Sequence, residues 1–429
     1  MTDDTDTVAG STGTGSTDTD VLVVGGGPAG SAAARVLAAA GHRVTVVERQ
    51  RHPRPKTCGD LLTTRAVAEL RRLGVEPLEL EDAHRIDGVA LVHGEHRVER
   101  PWPAHPHLPD HGVAVRRDLT DARLSAAAVD AGATVLDGHE ATTPLVERGF
   151  VRGAMVTTPD GTPLAARARY LLVADGANSR FGRAIGTFRR RSWPYVTAIR
   201  GYWATPHDGT RHVELALDLT GRDGSELTGI GWVCPMGDGR ANVGVGVWST
   251  SHEFRSVNTT ELLGRFVGRI ADRWGFDAEH PLVAPVSGRI PVGTSVGPTA
   301  GPAHLVIGDA AGSANPLTGA GVEYALLTGR LAGDVLAEAL TSHDPTALQR
   351  YPSAIDAEIG TYFKVGRLVD RLAGRPAVAR AGGRLLARRR WAADTALRVG
   401  LDALRDDGAG TPERIYGAAR FLSRVAPTT

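Results

Sequence analysis

The 429-residue chain is long enough for two or three domains and a large core. Its 49 basic and 48 acidic side chains leave a net charge of +1, so no general field recruits nucleic acid. No run approaches the ~20 apolar residues that span a bilayer, and two cysteines cannot build a disulfide framework; a soluble, cytoplasmic protein is expected.

The opening stretch, MTDDTDTVAGSTGTGSTDTD, is rich in Gly, Ser, Thr and Asp and lacks the basic and apolar regions of a leader. Residues 1–19 therefore read as a disordered tail. Val21-Leu22-Val23-Val24 follows as an apolar strand and turns on Gly25-x-Gly27-x-x-Gly30. An Ala-rich helix then runs to Gly41, and a second apolar strand ends at Glu48. In such a βαβ unit Gly25 permits the tight turn, Gly27 the approach of a pyrophosphate and Gly30 close helix–strand packing. The helix N-terminus offers free N–H groups to the phosphates. Glu48 can accept from both hydroxyls of an adenosine ribose and repels a 2′-phosphate. The unit is expected to bind FAD or NAD.

Arg51 to Leu62 is a Pro-containing loop around Cys58-Gly59-Asp60, just beyond the second strand, where an open α/β sheet holds its ligand. A helical pattern from Ala66 to Leu73 stops at Gly74. Strands are expected between Ile86 and Arg100, then a Pro/His-rich connection from Trp102 to Gly112. Its His105, His107 and His111 lack metal-ligand spacing and are read as surface residues; no metal site is expected. Val113–Arg117 leads into a helix over Leu119–Ala131, and a hairpin turns at Pro159-Asp160-Gly161. The strand Tyr170–Ala174 opens onto Asp175-Gly176, placed to touch a dinucleotide again.

From about Trp193 to Pro291 the pattern becomes alternating strands with one helix, Thr259–Trp274, as in an antiparallel sheet that walls a substrate opposite the cofactor. The strand His304–Gly308 then returns the nucleotide-binding style. Its glycine-rich loop carries Asp309, Gly319 and Gly321 and precedes a helix from about Val322 to Leu340. That helix N-terminus would stabilise an anionic reduced flavin. The remaining chain is helical and Arg-rich; Arg380, Arg384 and Arg388 at i, i+4 spacing make it a candidate for peripheral membrane contact, although Gly382 and Gly383 weaken the helix.

Gly25–Gly30 with Glu48, Asp175-Gly176 and Gly308-Asp309 together resemble the para-hydroxybenzoate-hydroxylase-type flavoproteins, in which they hold FAD. That resemblance adds Arg117, in the family's R-x-x-x-D context with Asp121, as a further cofactor contact. Within that group the chain is most similar to the geranylgeranyl reductase family, including the menaquinone isoprenyl-chain reductases. The similarity rests on Pro55-Lys56-Thr57-Cys58-Gly59-Asp60, Ala198-Ile199-Arg200-Gly201-Tyr202, Trp232-x-x-Pro235 with Asn242-Val243-Gly244-Val245-Gly246, and Gly308-Asp309-Ala-Ala-Gly312 through Gly319.

The resemblance implies a tightly bound FAD, a transient reductant such as NAD(P)H and a hydrophobic, isoprenoid-like substrate. Cys58 would lie near the flavin and Trp232 would line the substrate tunnel, making these the catalytic candidates. Leu61 stands where the family has glycine, and Ile230 and Cys234 replace the Tyr and Phe of its Y-x-W-x-F-P signature, so a changed pocket is implied. The related flavin halogenases carry W-x-W-x-I-P there, which keeps a monooxygenase or halogenase acting on a small secondary metabolite as the alternative; a flavin-bound redox sensor is a third reading. Cys58 and Cys234 would both face the flavin and form a candidate redox pair. The expected fold is α/β (α+β overall): a Rossmann-like FAD-binding domain (residues 20–82, 112–186 and 284–342), an inserted antiparallel-sheet substrate domain (83–111 and 187–283) and a C-terminal helical region (343–429). The sequence leaves the oligomeric state open.

Overall fold

The computed structural model of the chain describes residues 16–405 and 410–425. The parallel part of its first seven-stranded sheet runs, in spatial order, Thr134–Asp137, Val44–Glu48, Ser16–Val24, Pro163–Val173 and His304–Val306. Phe150–Thr157 and Glu140–Glu147 extend it as an antiparallel meander beside the first half of the long Pro163–Val173 strand. The central strands are covered on both faces, so they read as unbroken apolar runs: Val21, Leu22 and Val23 are fully buried.

One covering layer pairs helix Pro28–Ala39 with helix Val322–Ser342 across small residues. A Cβ on Gly329 would lie 2.3 Å from the Ala29 carbonyl oxygen, so the close approach of the two backbones requires glycine. That packing fixes the glycine-rich loop before the second helix against the turn before the first.

The second sheet runs Val283–Pro291, Tyr195–Ala204, Arg240–Trp248, Gly229–Pro235, His212–Ala216, Gly88–His93, His96–Pro101. It is antiparallel except where Gly88–His93 pairs with His212–Ala216. Side chains alternate between faces along a strand. Ile199, Trp203, Val233, Val243, Val245 and Val247 pack under helix Thr259–Trp274 with its Leu262, Phe266 and Ile270. Arg200, Tyr202, Trp232, Asn242 and Gly244 consequently point to the opposite face, toward the nucleotide-binding layer.

Helices Thr361–Ala373, Pro376–Arg388, Arg390–Gly400 and Thr411–Val425 complete the chain. Among the described residues no helix is long and apolar enough to cross a membrane.

Four details differ from the sequence reading. The first strand starts at Ser16, inside the segment expected to be a tail, because residues 16–19 pair with Ala165–Ala168; residues 1–15 lie outside the described part. Val283–Pro291 belongs to the substrate sheet through its pairing with Tyr195–Arg200, so the nucleotide-binding part resumes after Pro291 rather than at 284. His111 is buried, with Nδ1 2.8 Å from Asp110 Oδ1, and is not a surface residue. Helix Pro376–Arg388 runs unbroken through its two glycines; a Cβ on Gly383 would meet His93 at 2.7 Å, so the glycine serves close docking.

Candidate active site

The strands Val21–Val24 and Val44–Glu48 end side by side, and the turn between them is shaped by sterics. Gly25 has φ +103° with the Ala174 carbonyl oxygen 2.4 Å from where a Cβ would sit, and a Cβ on Gly30 would be 1.9 Å from the Gly25 oxygen. Both positions exclude any side chain. Gly27 caps the helix Pro28–Ala39 and no side chain caps it further, so its first N–H groups face the groove. Glu48 is buried and accepts from the backbone N–H of Gly26 at 2.9 Å and of Gln50 at 3.0 Å.

Arg54, which the sequence reading did not single out, reaches into this groove. Its guanidinium is buried, lies 3.5 Å from Glu48 Oε1 and 3.5 Å from Asp121 Oδ2, and stands 3.5 Å from a Cβ built on Gly27. Arg54 Nε and Asp121 Oδ2 are both buried with no hydrogen-bond partner among the described residues. Pro53-Arg54-Pro55 was the available signal: two prolines stiffening a single cation beside the nucleotide turn.

Arg117 opens helix Arg117–Asp130. It donates to Asp121 Oδ1 at 2.7 Å and to Cys58 Sγ at 3.4 Å, while its backbone N–H donates to Asp60 at 3.3 Å. Burial works against its charge, but Asp121 and Cys58 together hold the guanidinium above its ordinary pKa.

Asp60 is the hub of the loop. It adopts φ +58°, is buried, and accepts from Tyr202 Oη and, at 2.7 Å, from Asn242 Nδ2. Burial raises its carboxyl above the usual range, against the pull of those two donors, and burial beside Asp60 raises Tyr202. Asn242 also donates to the Cys58 carbonyl at 2.9 Å and accepts from Trp232 Nε1 at 3.0 Å. The indole lies across Gly244, where a Cβ would be 2.2 Å from Trp232 Cζ2. Cys58, Asp60, Arg117, Tyr202, Asn242 and Trp232, drawn from three parts of the chain, thus form one contiguous cluster. Cys58 and Cys234 are both free thiols, and Cys234 is wholly buried, which raises its pKa.

The glycine-rich loop enters from the other side. Trp248 Nε1 donates to the Pro316 carbonyl at 2.7 Å and binds the loop to the substrate sheet. Gly319 has φ +72° beside Val196 and Trp248, and Gly321 starts helix Val322–Ser342 with no side-chain cap. Gly308, at φ +60°, packs on Ala29, and the Asp309 carboxylate approaches Gly321 without a hydrogen bond to any described residue. Asp175 accepts within its own turn from Ser179 at 2.5 Å and from the Phe181 N–H at 2.9 Å, and burial raises its carboxyl against the pull of those donors. Its neighbour Gly176, at φ +80°, has open space around it.

Residues 18–263 match the family model of the FAD binding domain. The menaquinone reductase of Mycobacterium tuberculosis is 37% identical over 406 residues, covering 95% of this chain and 96% of that protein. Digeranylgeranylglycerophospholipid reductase 2 of Methanopyrus kandleri is 32% identical over 362 residues, covering 80% and 84%. A geranylgeranyl bacteriochlorophyll reductase-like structure from Thermoplasma acidophilum superposes with a TM-score of 0.77 at 23% identity, over 94% of this chain and 99% of that one. The chain belongs to the geranylgeranyl reductase family of FAD-dependent oxidoreductases.

The groove suits the cofactor of this reductase family on its own evidence. The buried Arg54 guanidinium, ion-paired at 3.5 Å but with no hydrogen bond to its Nε, the uncapped helix start at Gly27 and the Asp309 carboxylate are a cation, N–H donors and an acceptor that a pyrophosphate and a ribityl chain would satisfy.

Proposed function

We propose that this oxidoreductase saturates carbon–carbon double bonds in the isoprenoid chain of a menaquinone-like lipid. The observation that carries the reading is end-to-end similarity to a mycobacterial menaquinone reductase, 95% of one chain against 96% of the other. The Cys58–Asp60 turn seated against Trp232 supports it.

In this reading Glu48 takes the adenosine ribose, Arg54 and the Gly25–Gly30 turn the pyrophosphate, and Asp309, Gly308, Gly319 and Gly321 the flavin half, with Gly176 lining the groove. FAD held by these residues, with NAD(P)H or another donor as its reductant, would supply hydride for an alkene. An unactivated alkene also needs a proton on one of its two carbons, which leaves the positive charge on the other, the carbon that takes the hydride. We assign that proton to Cys58 Sγ, held by the Arg117 guanidinium, while Asp60 fixes the turn through its three donors. Trp232, pinned by Asn242, gives the alkene an apolar wall and excludes water. The chain acts in the cytoplasm and meets lipid at the membrane surface.

Flavin-loaded protein incubated anaerobically with a reductant and a menaquinone should yield a lipid heavier by two hydrogens per saturated bond. Lipid of unchanged mass there, together with transfer of oxygen or halide to a small aromatic when the reduced enzyme is given air, would replace this reading with the oxygen-using alternative.

A further inference from the structure

The chain from Arg367 to Ala387 crosses one end of the substrate sheet. Arg367 donates to the Gly293 carbonyl at 2.8 Å, Thr250 to Asp370 at 2.9 Å and Thr228 to the Ala373 carbonyl at 2.6 Å. Farther along, Arg380 meets Glu226 at 3.3 Å and Gly383 lies on His93. These contacts step from the Val283–Pro291 edge toward the Gly88–His93 side, so the outward face of the segment forms a ridge.

That ridge is charged in one sense. Between Arg371 and Ala393 the sequence has seven arginines and no acid, in a chain whose net charge is only +1. Arg375, Arg384, Arg388, Arg389 and Arg390 are exposed, and their side chains make no ion pair or hydrogen bond with a described residue. At the start of the ridge Arg190 and Arg367 lie 4.4 and 3.9 Å from the centre of the Trp193 ring, and neither forms an ion pair.

Large apolar side chains are interleaved with these cations. Leu372 is 47% exposed, Val378 44%, Leu385 43% and Trp391 55%. An acidic protein partner would account for the arginines alone. Cations alternating with exposed aliphatic residues and a tryptophan match an interface with anionic headgroups outside and acyl chains within. We propose that the ridge seats the enzyme on an anionic phospholipid surface, with helix Pro376–Arg388 in the headgroup plane and Leu385 and Trp391 inserted. The proposal deepens the lipid-substrate reading, because it brings the substrate domain to the phase in which an isoprenoid lipid is dissolved.

The test is sedimentation of the full, flavin-loaded chain with vesicles of phosphatidylcholine alone or mixed with phosphatidylglycerol. Wild type should pellet with the mixed vesicles and dissociate as salt rises. At about 1 kcal/mol per arginine near such a surface, Arg384→Gln/Arg388→Gln/Arg390→Gln should partition on the order of 100-fold more weakly. Leu385→Ser/Trp391→Ser should also weaken binding. Arg222→Gln/Arg265→Gln, on the Glu261 face of helix Thr259–Trp274, should bind as wild type. Unchanged flavin content in each variant verifies folding. Equal partition to neutral and anionic vesicles, a triple variant that binds as wild type, or an Arg222/Arg265 variant that fails equally would each overturn the proposal. Activity on detergent-dispersed menaquinone is expected to survive in the triple variant, so loss of docking and failure of the enzymatic reading give different results.

Discussion

A methyl group at Gly244 would occupy the space of the Trp232 indole, only 2.2 Å from Cζ2. Overpacking of this kind costs about 1–3 kcal/mol, so Gly244→Ala should lower the melting temperature and displace the indole while leaving flavin content unchanged. Loss of turnover at full flavin occupancy checks it. Glu48 differs, since its carboxylate orders two backbone N–H groups at the place where the proposed reading seats the ribose. With hydrogen bonds to charged groups worth roughly 1.5–3 kcal/mol, Glu48→Ala should weaken FAD binding about 10- to 100-fold, measured by flavin fluorescence on titration. Removing a general acid typically costs about 10²-fold or more; Cys58→Ala should therefore lower kcat on the alkene while flavin binding stays intact. Equal kcat in that variant would move the proton to another group. At this scale the sterically required Gly25 and Gly30 were legible because they answer to a local motif, while the roles of Glu48 and Trp232 rest on the proposed reading. Arg54 was passed over because a single cation between two prolines has no period or spacing of its own.

The C-terminal helices hold the Gly-rich loop before helix Val322–Ser342, a role that no motif announces. Asn315 Nδ2 donates to Tyr362 Oη at 3.1 Å and to the Gly400 carbonyl at 3.0 Å, and Asn315 Oδ1 accepts from the Leu317 N–H at 2.8 Å. The Gly-rich loop therefore depends on residues 47 and 85 positions away in sequence, contacts set by tertiary packing and invisible to periodicity. Helix Thr361–Ala373 also carries a buried acid. Burial raises Asp370 to about 7, against the opposing hydrogen bond from Thr250. Its unfolded value is about 3.9, so the native state holds the proton more tightly. The resulting stability is complete below about pH 4 and is lost as pH rises through about 7. Asp370→Asn keeps a neutral acceptor for Thr250. Its stability advantage over wild type in urea should widen from pH 5 to pH 8, toward an upper bound of roughly 4 kcal/mol; a gap independent of pH would contradict the assignment.

Over the whole molecule, two sheets meet with the cofactor groove on one and the Tyr202, Trp232 and Asn242 face on the other, joined by the Cys58–Asp60 loop. That the first sheet holds apolar strands of a nucleotide-binding fold was legible from apolar runs ending in glycine turns; their spatial order was not. The strand Val283–Pro291 reads two ways, inside the antiparallel texture that runs to Pro291 yet beyond a domain boundary drawn at 284; its pairing with Tyr195–Arg200, invisible in the sequence, places it in the substrate sheet. The joining of the parts was legible only as far as the family resemblance carried it: that Asp60, left-handed and buried, ties Arg117 to Asn242 follows from contacts between residues 57 and 182 positions apart. The central claim is that this assembled cleft passes reducing equivalents to an isoprenoid alkene. Its most direct test is to reduce the flavin-loaded enzyme without oxygen and add menaquinone while following the flavin absorbance. Reoxidation at a rate that rises with menaquinone, that leaves two added hydrogens in the isoprenoid chain rather than only on the quinone ring, and that is slowed by Gly244→Ala, is the expected result. A flavin that stays reduced with menaquinone and every other prenyl lipid, yet reoxidises at once in air, would contradict the account.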